Sequence, residues 1–245
     1  MVIVKTKSFE LAAITQGVQG TSKLAIVLPG RLDTKDYAQN PSHLKFLADR
    51  DFFALSFDPP GSWASPGGLG LYSTTNYIKA VNELIEYFGN KPTLLMGHSR
   101  GGTVALLVGS QNPHVTHMIS VNSSYGGHID IANPNTSQIF PSYRDLPPGT
   151  IRTKKQKRFD LSYSYFSGSE KYNALDGLIF CKKPKLFFYG TKDKLTTPTI
   201  VKHMFDISAS PKILHELNTE HDYRLHPEII DEVNKTVGEF LDIYK

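Results

Sequence analysis

Short apolar runs that stop at glycine or proline alternate along this chain with longer segments of helical period. Four of these runs are rich in aliphatic and aromatic residues: Leu24 to Leu28, Phe52 to Phe57, Thr93 to Met96 and Lys185 to Tyr189. Continuous apolar runs of this length indicate strands that are buried on both faces, which occur mainly in parallel sheets. Two further strands are predicted over His117 to Asn122 and Lys212 to Leu217. The alternation therefore predicts an α/β fold with a mostly parallel central sheet.

Three segments have the spacing expected of helices. Thr74 to Phe88 places its apolar residues on one face and is followed by Gly89, a residue type that commonly ends helices. Arg100 to Ser110 is small and aliphatic almost all round, as in a helix buried against a sheet, and Glu228 to Tyr244 is amphipathic. The weak alternation up to about Gly20 predicts an antiparallel hairpin at the sheet edge. We therefore expect helices on both faces of the sheet.

One stretch, residues 123–181, interrupts this alternation. It is rich in Ser, Tyr, Asn, Pro and Gly and has few long apolar runs, so we expect an insertion into a single core made of residues 1–122 and 182–245. A structureless loop of that length is improbable in a compact domain. Short helices are therefore predicted around Ser137 to Tyr143 and Lys155 to Tyr165, and the whole insertion is predicted to form a small cap, or lid.

Composition argues against several classes of protein. The formal net charge of +4, from 27 Lys and Arg against 23 Asp and Glu, is too small to predict nucleic-acid binding. No apolar stretch reaches transmembrane length, so no integral membrane association is expected. The single cysteine, Cys181, excludes an internal disulfide and leaves too few thiols for a thiolate metal cluster. The first seven residues lack the pattern of a signal peptide. We expect a cytoplasmic protein without a bound metal.

The string Gly97-His98-Ser99-Arg100-Gly101 lies directly between a predicted strand and a predicted helix. In a sharp strand-to-helix turn the central serine is exposed above the sheet, and the flanking glycines allow strand and helix to approach closely. This context predicts that Ser99 is a nucleophile. The alternative is that the glycines merely end the strand and Ser99 caps the helix, since serine is a favoured capping residue.

A serine hydroxyl needs a base and an orienting carboxylate, expected in the chain order serine, acid, histidine. Asp193 follows the strand that ends at Tyr189, which places a carboxylate at the same edge of the sheet as Ser99; the alternative is an ordinary turn aspartate. His221 follows the last predicted strand and precedes the final helix, so it is the expected base. His226 is its nearest rival and is more plausibly structural. His98 is expected to point away from the serine.

These segments together resemble the α/β-hydrolase fold family over nearly the whole chain. The resemblance is carried by Leu28-Pro29-Gly30-Arg31, Asp58-Pro59-Pro60-Gly61, Gly97 to Gly102, Tyr189-Gly190-Thr191-Lys192-Asp193 and Glu220-His221-Asp222-Tyr223. It implies an α/β-hydrolase fold, a catalytic triad of Ser99, Asp193 and His221, an acyl-serine intermediate and no cofactor. It also implies an oxyanion hole formed by the backbone N–H groups of Arg31 and Arg100. Pro29-Gly30 stands where many members have His-Gly, which removes a side chain but keeps the backbone donor.

Three groups of side chains bear on the substrate. The side chains of Arg31 and Arg100 could bind a carboxylate or phosphate, although arginines at such positions commonly face solvent or pair with acids of their own chain. Trp63 and Tyr125 are candidates for an acyl pocket, although aromatic residues are more often ordinary packing. The basic cluster between Arg152 and Arg158 is most often a solvated face; it could instead steer acidic ligands toward the cap.

The expected function is hydrolysis of a small-molecule carboxylic ester or thioester. An acyltransferase would use the same three residues with an acceptor other than water. A binding protein that keeps the hydrolase fold without catalysis is the alternative from another class, because fold does not fix function.

Overall fold

A central sheet with one inserted hairpin organises the chain in the computed structural model, which describes residues 1–126 and 138–245. The strands of these residues are β1 (Val2–Lys5), β2 (Glu10–Gln16), β3 (Lys23–Leu28), β4 (Phe52–Phe57), β5 (Thr93–His98), β6 (Val115–Val121), β7 (Ile139–Asp145), β8 (Gln156–Ser162), β9 (Lys185–Gly190) and β10 (Lys212–Leu217). The eight-stranded sheet has the order β1-β2-β4-β3-β5-β6-β9-β10. From β4 to β10 neighbouring strands are parallel, and β1 and β2 form the antiparallel edge predicted from the sequence.

The helices of the described residues cover both faces of this sheet. They are α1 (Gln39–Ala48), α2 (Thr74–Tyr87), α3 (Arg100–Gln111), α4 (Tyr163–Ser167), α5 (Leu175–Leu178), α6 (Pro198–Ile207) and α7 (Pro227–Ile243). Alternate residues of a strand face opposite cores: Ile26 of β3 packs in the core with α2, α3 and α6, whereas Val27 packs in the core with α1 and α7. Burial on both faces explains why the strands are continuous apolar runs.

The predicted helices of the core are confirmed, with small differences at their ends. Helix α2 begins after Ser73, whose side chain accepts a hydrogen bond from the Asn76 N–H at 3.1 Å, and the chain leaves it through Gly89 at φ +86°. Helix α1 has no counterpart in the sequence predictions. Its buried residues include Gln39, Asn40 and His43, so the apolar period that would have revealed it is broken by polar side chains.

The inserted segment differs from the prediction of short helices. Ile139–Asp145 and Gln156–Ser162 form an antiparallel hairpin, β7–β8, and only the end of the second predicted helix overlaps a helix, α4; Ser137 lies outside the described residues. The reason is a period of two in β8: Phe159 and Leu161 are buried in a small core with Tyr72, whereas Arg158, Asp160 and Ser162 are exposed. No helix of the described ranges, 1–126 and 138–245, is long and apolar enough to span a membrane.

Candidate active site

The turn between β5 and α3 holds Ser99 in an unusual backbone conformation, with φ +51° and ψ −123°. Such a φ is strained for a residue other than glycine. The turn is tight because a Cβ at Gly97 would overlap the backbone of Gly101, and one at Gly101 would overlap the carbonyl group of Leu28. Ser99 stands before the first residue of α3, but its side chain makes no capping hydrogen bond. Its hydroxyl is therefore available for another partner.

That partner is His221. Ser99 Oγ lies 2.9 Å from Nε2 of His221, and Nδ1 of the same ring lies 2.7 Å from Oδ2 of Asp193. The three residues come from three different strand ends: Ser99 follows β5, Asp193 follows β9 and His221 follows β10. Parallel strands present their carboxyl ends at one edge of the sheet, which is why residues as far apart as 122 positions in sequence meet here.

Asp193 is held as a carboxylate by its surroundings. Its side chain is buried, and Oδ1 accepts hydrogen bonds from the N–H groups of Leu195 at 2.8 Å and Thr196 at 2.9 Å. Burial by itself would raise the pKa of this carboxyl, but the hydrogen bond from His221 and the two backbone N–H groups outweigh it, so the pKa lies below its ordinary value. An ionised Asp193 fixes the proton of His221 on Nδ1 and leaves Nε2 free to accept the proton of Ser99.

The backbone of His221 is fixed by two residues that sequence reasoning did not place in the site. Its carbonyl oxygen accepts hydrogen bonds from Nε2 of His98 at 2.9 Å and from Nδ2 of Asn122 at 3.2 Å. Nδ1 of His98 in turn lies 3.4 Å from Oδ2 of Asp33. A signal was available: Asp33 and Asn122 are polar residues that closely follow strands of a parallel sheet, where functional side chains collect.

His98 and Asp33 form a buried pair in which each group favours the charged form of the other. Burial opposes the charge on each group, but each stabilises the other: the pKa of His98 lies above its ordinary 6.5 and that of Asp33 lies below its ordinary 3.8. Arg144, whose Nε lies 3.5 Å from Oδ1 of Asp33, lowers the pKa of Asp33 further. The two ring nitrogens of His98 thus contact Asp33 and the His221 carbonyl, and the ring lies beside that of His221 with centroids 4.9 Å apart.

Two residues that line one cavity with Ser99 have backbone N–H groups without an acceptor among the described residues. Arg100 is the first residue of α3, so its N–H has no carbonyl to bond within the helix. Arg31 lies in the loop after β3, and its N–H makes no hydrogen bond to another described residue. The N–H of the next residue, Leu32, is engaged, since it donates to the Tyr72 hydroxyl at 2.6 Å. These are the two donors that the sequence resemblance implied for an oxyanion.

A cavity of about 740 Å³ opens above Ser99. Its floor is formed by the loops that follow β3, β5, β9 and β10, and its wall is formed by the inserted segment through Tyr143, Arg144, Asp145, Arg152 and Gln156. The insertion is fastened to the core beside the cavity. Arg144 donates to the Arg31 carbonyl at 2.8 Å, Tyr37 donates its hydroxyl proton to the Asp145 carbonyl at 2.8 Å, and Arg224 forms an ion pair with Asp145 at 2.6 Å.

The two aromatic candidates for a substrate pocket lie elsewhere. Trp63 donates its ring N–H to the Leu32 carbonyl at 2.8 Å and packs against Phe159 of the hairpin, with ring centroids 5.3 Å apart. Tyr125 packs against the main core and beside His203. Neither lines the cavity above Ser99. Both positions were proposed from residue type alone, and the structure uses these rings to pack the insertion and the core.

The rival histidine His226 also lies outside the cavity. It precedes α7, its ring is 39% exposed, and it faces Glu220 and Glu228 at 3.7 and 3.6 Å. Within residues 1–126 and 138–245, no group of three or more His, Cys, Asp or Glu side chains is placed so that it could hold a metal ion.

Comparisons with known proteins agree with this architecture. A family model described as alpha/beta hydrolase fold matches residues 25–160. The human serine hydrolase BPHL is 25% identical over 234 residues, which cover 88% of this chain and 78% of the human protein. Est1E from Butyrivibrio proteoclasticus, solved with ferulic acid bound, has a TM-score of 0.79 at 13% identity and covers 100% of this chain and 99% of its own. The monoacylglycerol lipase of Paleococcus ferrophilus has a TM-score of 0.74 at 20% identity, over 96% of this chain and 100% of its own. At such identities the two structures indicate a shared fold and nothing more.

Proposed function

Because the chain belongs to the α/β-hydrolase fold family, with hydrolases among its relatives, we propose that it is a serine hydrolase that cleaves a carboxylic ester or thioester. The observation that carries the proposal is the continuous hydrogen-bonded chain from Asp193 through His221 to Ser99, at 2.7 and 2.9 Å. The strained backbone of Ser99 supports it as well, because such strain is kept mainly at functional positions.

In the proposed reaction, Ser99 Oγ attacks the substrate carbonyl carbon while its proton passes to Nε2 of His221. The tetrahedral intermediate collapses when His221 gives that proton to the leaving oxygen or sulfur, which departs as an alcohol or thiol and leaves an acyl-Ser99 ester. Water then attacks the acyl carbon as His221 takes its proton. The bond from that carbon to Ser99 Oγ breaks when His221 gives the proton to Oγ, and the carboxylic acid leaves. Asp193 keeps its charge throughout and stabilises the imidazolium form of His221.

The negative oxygen of each tetrahedral intermediate needs donors that are already in place. The proposed donors are the backbone N–H groups of Arg31 and Arg100, which have no other acceptor among the described residues. Donors fixed by a loop and a helix start cost no reorganisation when the charge develops. The presence of Pro29-Gly30 in place of His-Gly leaves both proposed donors in place, because they belong to Arg31 and Arg100.

We also propose that residues 123–181 act as a cap. The hairpin of this segment supplies one wall of the cavity, and its attachment through Asp145 and Arg224 reaches the turn that follows His221. A wall at this place limits access of water and of large substrates to Ser99. Substrate choice would then depend on this segment more than on the core.

Labelling with a fluorophosphonate probe and turnover of a panel of para-nitrophenyl esters test the proposal. Wild-type protein is expected to react at Ser99 and to hydrolyse at least one ester. Ser99→Ala and His221→Ala are each expected to lower kcat by about 10⁴-fold or more, because the nucleophile and base act as a unit.

His226→Ala is the matched control, since it removes a nearby imidazole that lies outside the cavity. It is expected to keep wild-type turnover. Unlabelled Ser99 in folded protein, or ester turnover that survives Ser99→Ala, would contradict the proposed reaction.

A further inference from the structure

The cavity above Ser99 carries an excess of positive charge. Seven of its lining residues are Arg or Lys, and four are Asp or Glu. The excess is local, since the whole chain has a net charge of only +4 over 245 residues. What matters for a ligand is which of these cations already have an acidic partner.

Three of the arginines are paired, and their partners account for all four acids of the cavity. Arg144 lies 3.5 Å from Asp33, and Arg224 lies 2.6 Å from Asp145. Arg152 lies 3.0 Å from Asp222 and 3.6 Å from Glu220. These acids are therefore occupied within the chain, and a cationic substrate would have to displace an arginine to reach one of them.

The remaining cations, Arg31, Arg100, Lys192 and Lys194, have no acidic partner among the described residues. The two lysines are exposed, so water and salt screen them well. Arg31 and Arg100 are half-buried, and neither guanidinium group makes a hydrogen bond or ion pair with a described residue. Partial burial of a charge without a partner costs free energy, and two such charges on one cavity also repel each other. An anion bound in the cavity they share would lower both costs.

We propose that Arg31 and Arg100 bind a carboxylate or phosphate group of the substrate, so that the enzyme acts on anionic esters or thioesters. This inference rests on the proposed function, because it places the anion on the molecule that Ser99 attacks. The same two residues offer their backbone N–H groups to the oxyanion, so the recognised anion lies close to the reacting carbonyl. A guanidinium group suits either anion, since it can donate two parallel hydrogen bonds to planar or tetrahedral oxygens.

Matched esters test the charge preference directly. Mono-para-nitrophenyl adipate carries a carboxylate too distant to attack its own ester. Its neutral isostere has an isopropyl group in place of that carboxylate, and a third ester ends in trimethylammonium. The wild-type protein is expected to hydrolyse the adipate with a kcat/KM about 10-fold to 100-fold above that of the isostere. A factor of this size corresponds to the free energy of one hydrogen bond between charged groups. A para-nitrophenyl ester that ends in phosphate distinguishes the two anions.

Charge-removing variants assign the preference to residues. Arg31→Gln and Arg100→Gln keep the backbone N–H groups and are each expected to reduce the ratio of adipate to isostere turnover by about 10-fold. Arg31→Lys and Arg100→Lys are expected to keep part of the preference for adipate over its isostere, because lysine retains the positive charge. Arg158→Gln is the control of equal charge loss, because Arg158 lies outside the cavity and pairs with the exposed Asp160. It is expected to leave the ratio unchanged.

A binding measurement separates this inference from the proposed reaction. Calorimetry measures the binding of two ligands: adipamate, which is the monoamide of adipate, and the neutral amide that has an isopropyl group in place of the carboxylate. Each ligand is tested on the Ser99→Ala protein and on the double variant that also has Arg31→Gln. Tighter binding of adipamate that depends on Arg31 supports the anion site even if no ester is turned over. Equal binding of the two amides would overturn the anion site, and so would faster turnover of the neutral or trimethylammonium ester by the wild-type protein. Neither result would contradict the proposed reaction of Ser99.

Discussion

At the scale of single residues, His98 links the turn of Ser99, the proposed nucleophile, to the loop that carries His221, the proposed base. It precedes Ser99 in the chain, and its Nε2 donates to the carbonyl of His221 at 2.9 Å. A base that moves by an ångström loses much of its effect, so a residue that fixes the backbone of His221 acts as a positioning residue.

Replacement of His98 by leucine is expected to lower kcat by about 10-fold to 100-fold with little change in KM, because the base is misplaced and the cavity is kept. His98→Gln is expected to recover part of the loss, since its amide can donate to the same carbonyl. Steady-state kinetics on one ester compare the two variants. Equal losses in both would indicate a packing role only.

The charges of His98 and Asp33 predict a window of pH for their contribution to stability. The raised pKa of His98 means that its contribution is complete below pH 6.5 and is lost as pH rises through the folded-state value. The lowered pKa of Asp33 means that its contribution is present above pH 3.8 and is lost as pH falls. The difference in unfolding free energy between wild type and His98→Gln is therefore expected to be largest between about pH 4 and 6.5. Urea titrations across pH measure it, and a difference that grows above pH 7 would contradict the assignment.

Gly101 offers a steric test of the turn that holds Ser99. A Cβ there would overlap the carbonyl groups of Leu28 and Pro29, so Gly101→Ala is expected to destabilise the fold by about 2 kcal/mol and to displace Ser99. Gly20→Ala is the matched control, because a Cβ at Gly20 would have no neighbour within 4 Å. Unfolding midpoints and ester turnover of the two variants should diverge; a stable, active Gly101→Ala protein would show that the turn can relax.

The sequence was sufficient to bring Ser99, Asp193 and His221 together, because each follows a predicted strand and parallel strands end at one edge. It was insufficient for His98, Asp33 and Asn122. His98 and Asn122 bind the backbone carbonyl of His221, whose position depends on the path of the loop after β10. Loops have no periodic sequence pattern from which such a path could be predicted. Residue type alone also misplaced Trp63 and Tyr125, since an aromatic ring packs equally well in a core or a pocket.

At the scale of elements, the strands of the core were predictable because burial on both faces leaves long apolar runs. The hairpin β7–β8 was not, since in β8 only the alternate residues Phe159 and Leu161 are buried, between the exposed Arg158, Asp160 and Ser162. Helix α1 was missed because its inner face contains buried polar side chains. Pattern reasoning therefore succeeded where the core is apolar and failed where hydrogen bonds replace apolar contacts.

The ion pair of Asp145 and Arg224 predicts how firmly the insertion is held. Both side chains are 4% exposed, so Arg224→Met leaves a buried carboxylate without its cation and is expected to cost about 3 kcal/mol. Arg158→Met removes an exposed arginine from the same hairpin and is expected to leave the unfolding midpoint unchanged. Urea denaturation of both variants measures the contrast. Asp145 Oδ1 also accepts hydrogen bonds from the Thr153 N–H at 3.1 Å and from Nε2 of Gln156 at 3.0 Å, and equal stability of the two variants would show that these suffice.

At the scale of the whole molecule, a buried polar network ties the first and last helices to the site. Nδ1 of His43 in α1 donates to Oδ1 of Asn234 in α7 at 2.6 Å, and Nε2 accepts from the hydroxyl of Tyr223 at 2.8 Å. The ring of Tyr223 lies against that of His98, with centroids 5.3 Å apart. Burial lowers the pKa of His43 to about 4, against a weaker opposing effect of the Asn234 hydrogen bond.

That pKa predicts acid sensitivity of the whole fold. In the unfolded chain His43 is protonated below its ordinary pKa of 6.5, whereas in the native protein it is protonated only below about pH 4. The free energy of unfolding therefore falls as pH falls through this range, by about 3 kcal/mol at its lower end. Replacement His43→Gln is expected to flatten this part of the pH profile. Unfolding free energies measured between pH 4 and 7 compare the two proteins, and parallel profiles would assign the acid sensitivity to other groups.

The distance of 122 positions between Ser99 and His221 also has a consequence for synthesis. A ribosome adds residues in order, so the serine leaves the exit tunnel long before its base has been made. A nascent chain with Ser99 exposed has no partner to remove the hydroxyl proton until β10 pairs with β9. On the proposed reaction, Ser99 therefore stays unreactive while the protein is incomplete, and the onset of ester turnover would report that the sheet has closed on its last strand.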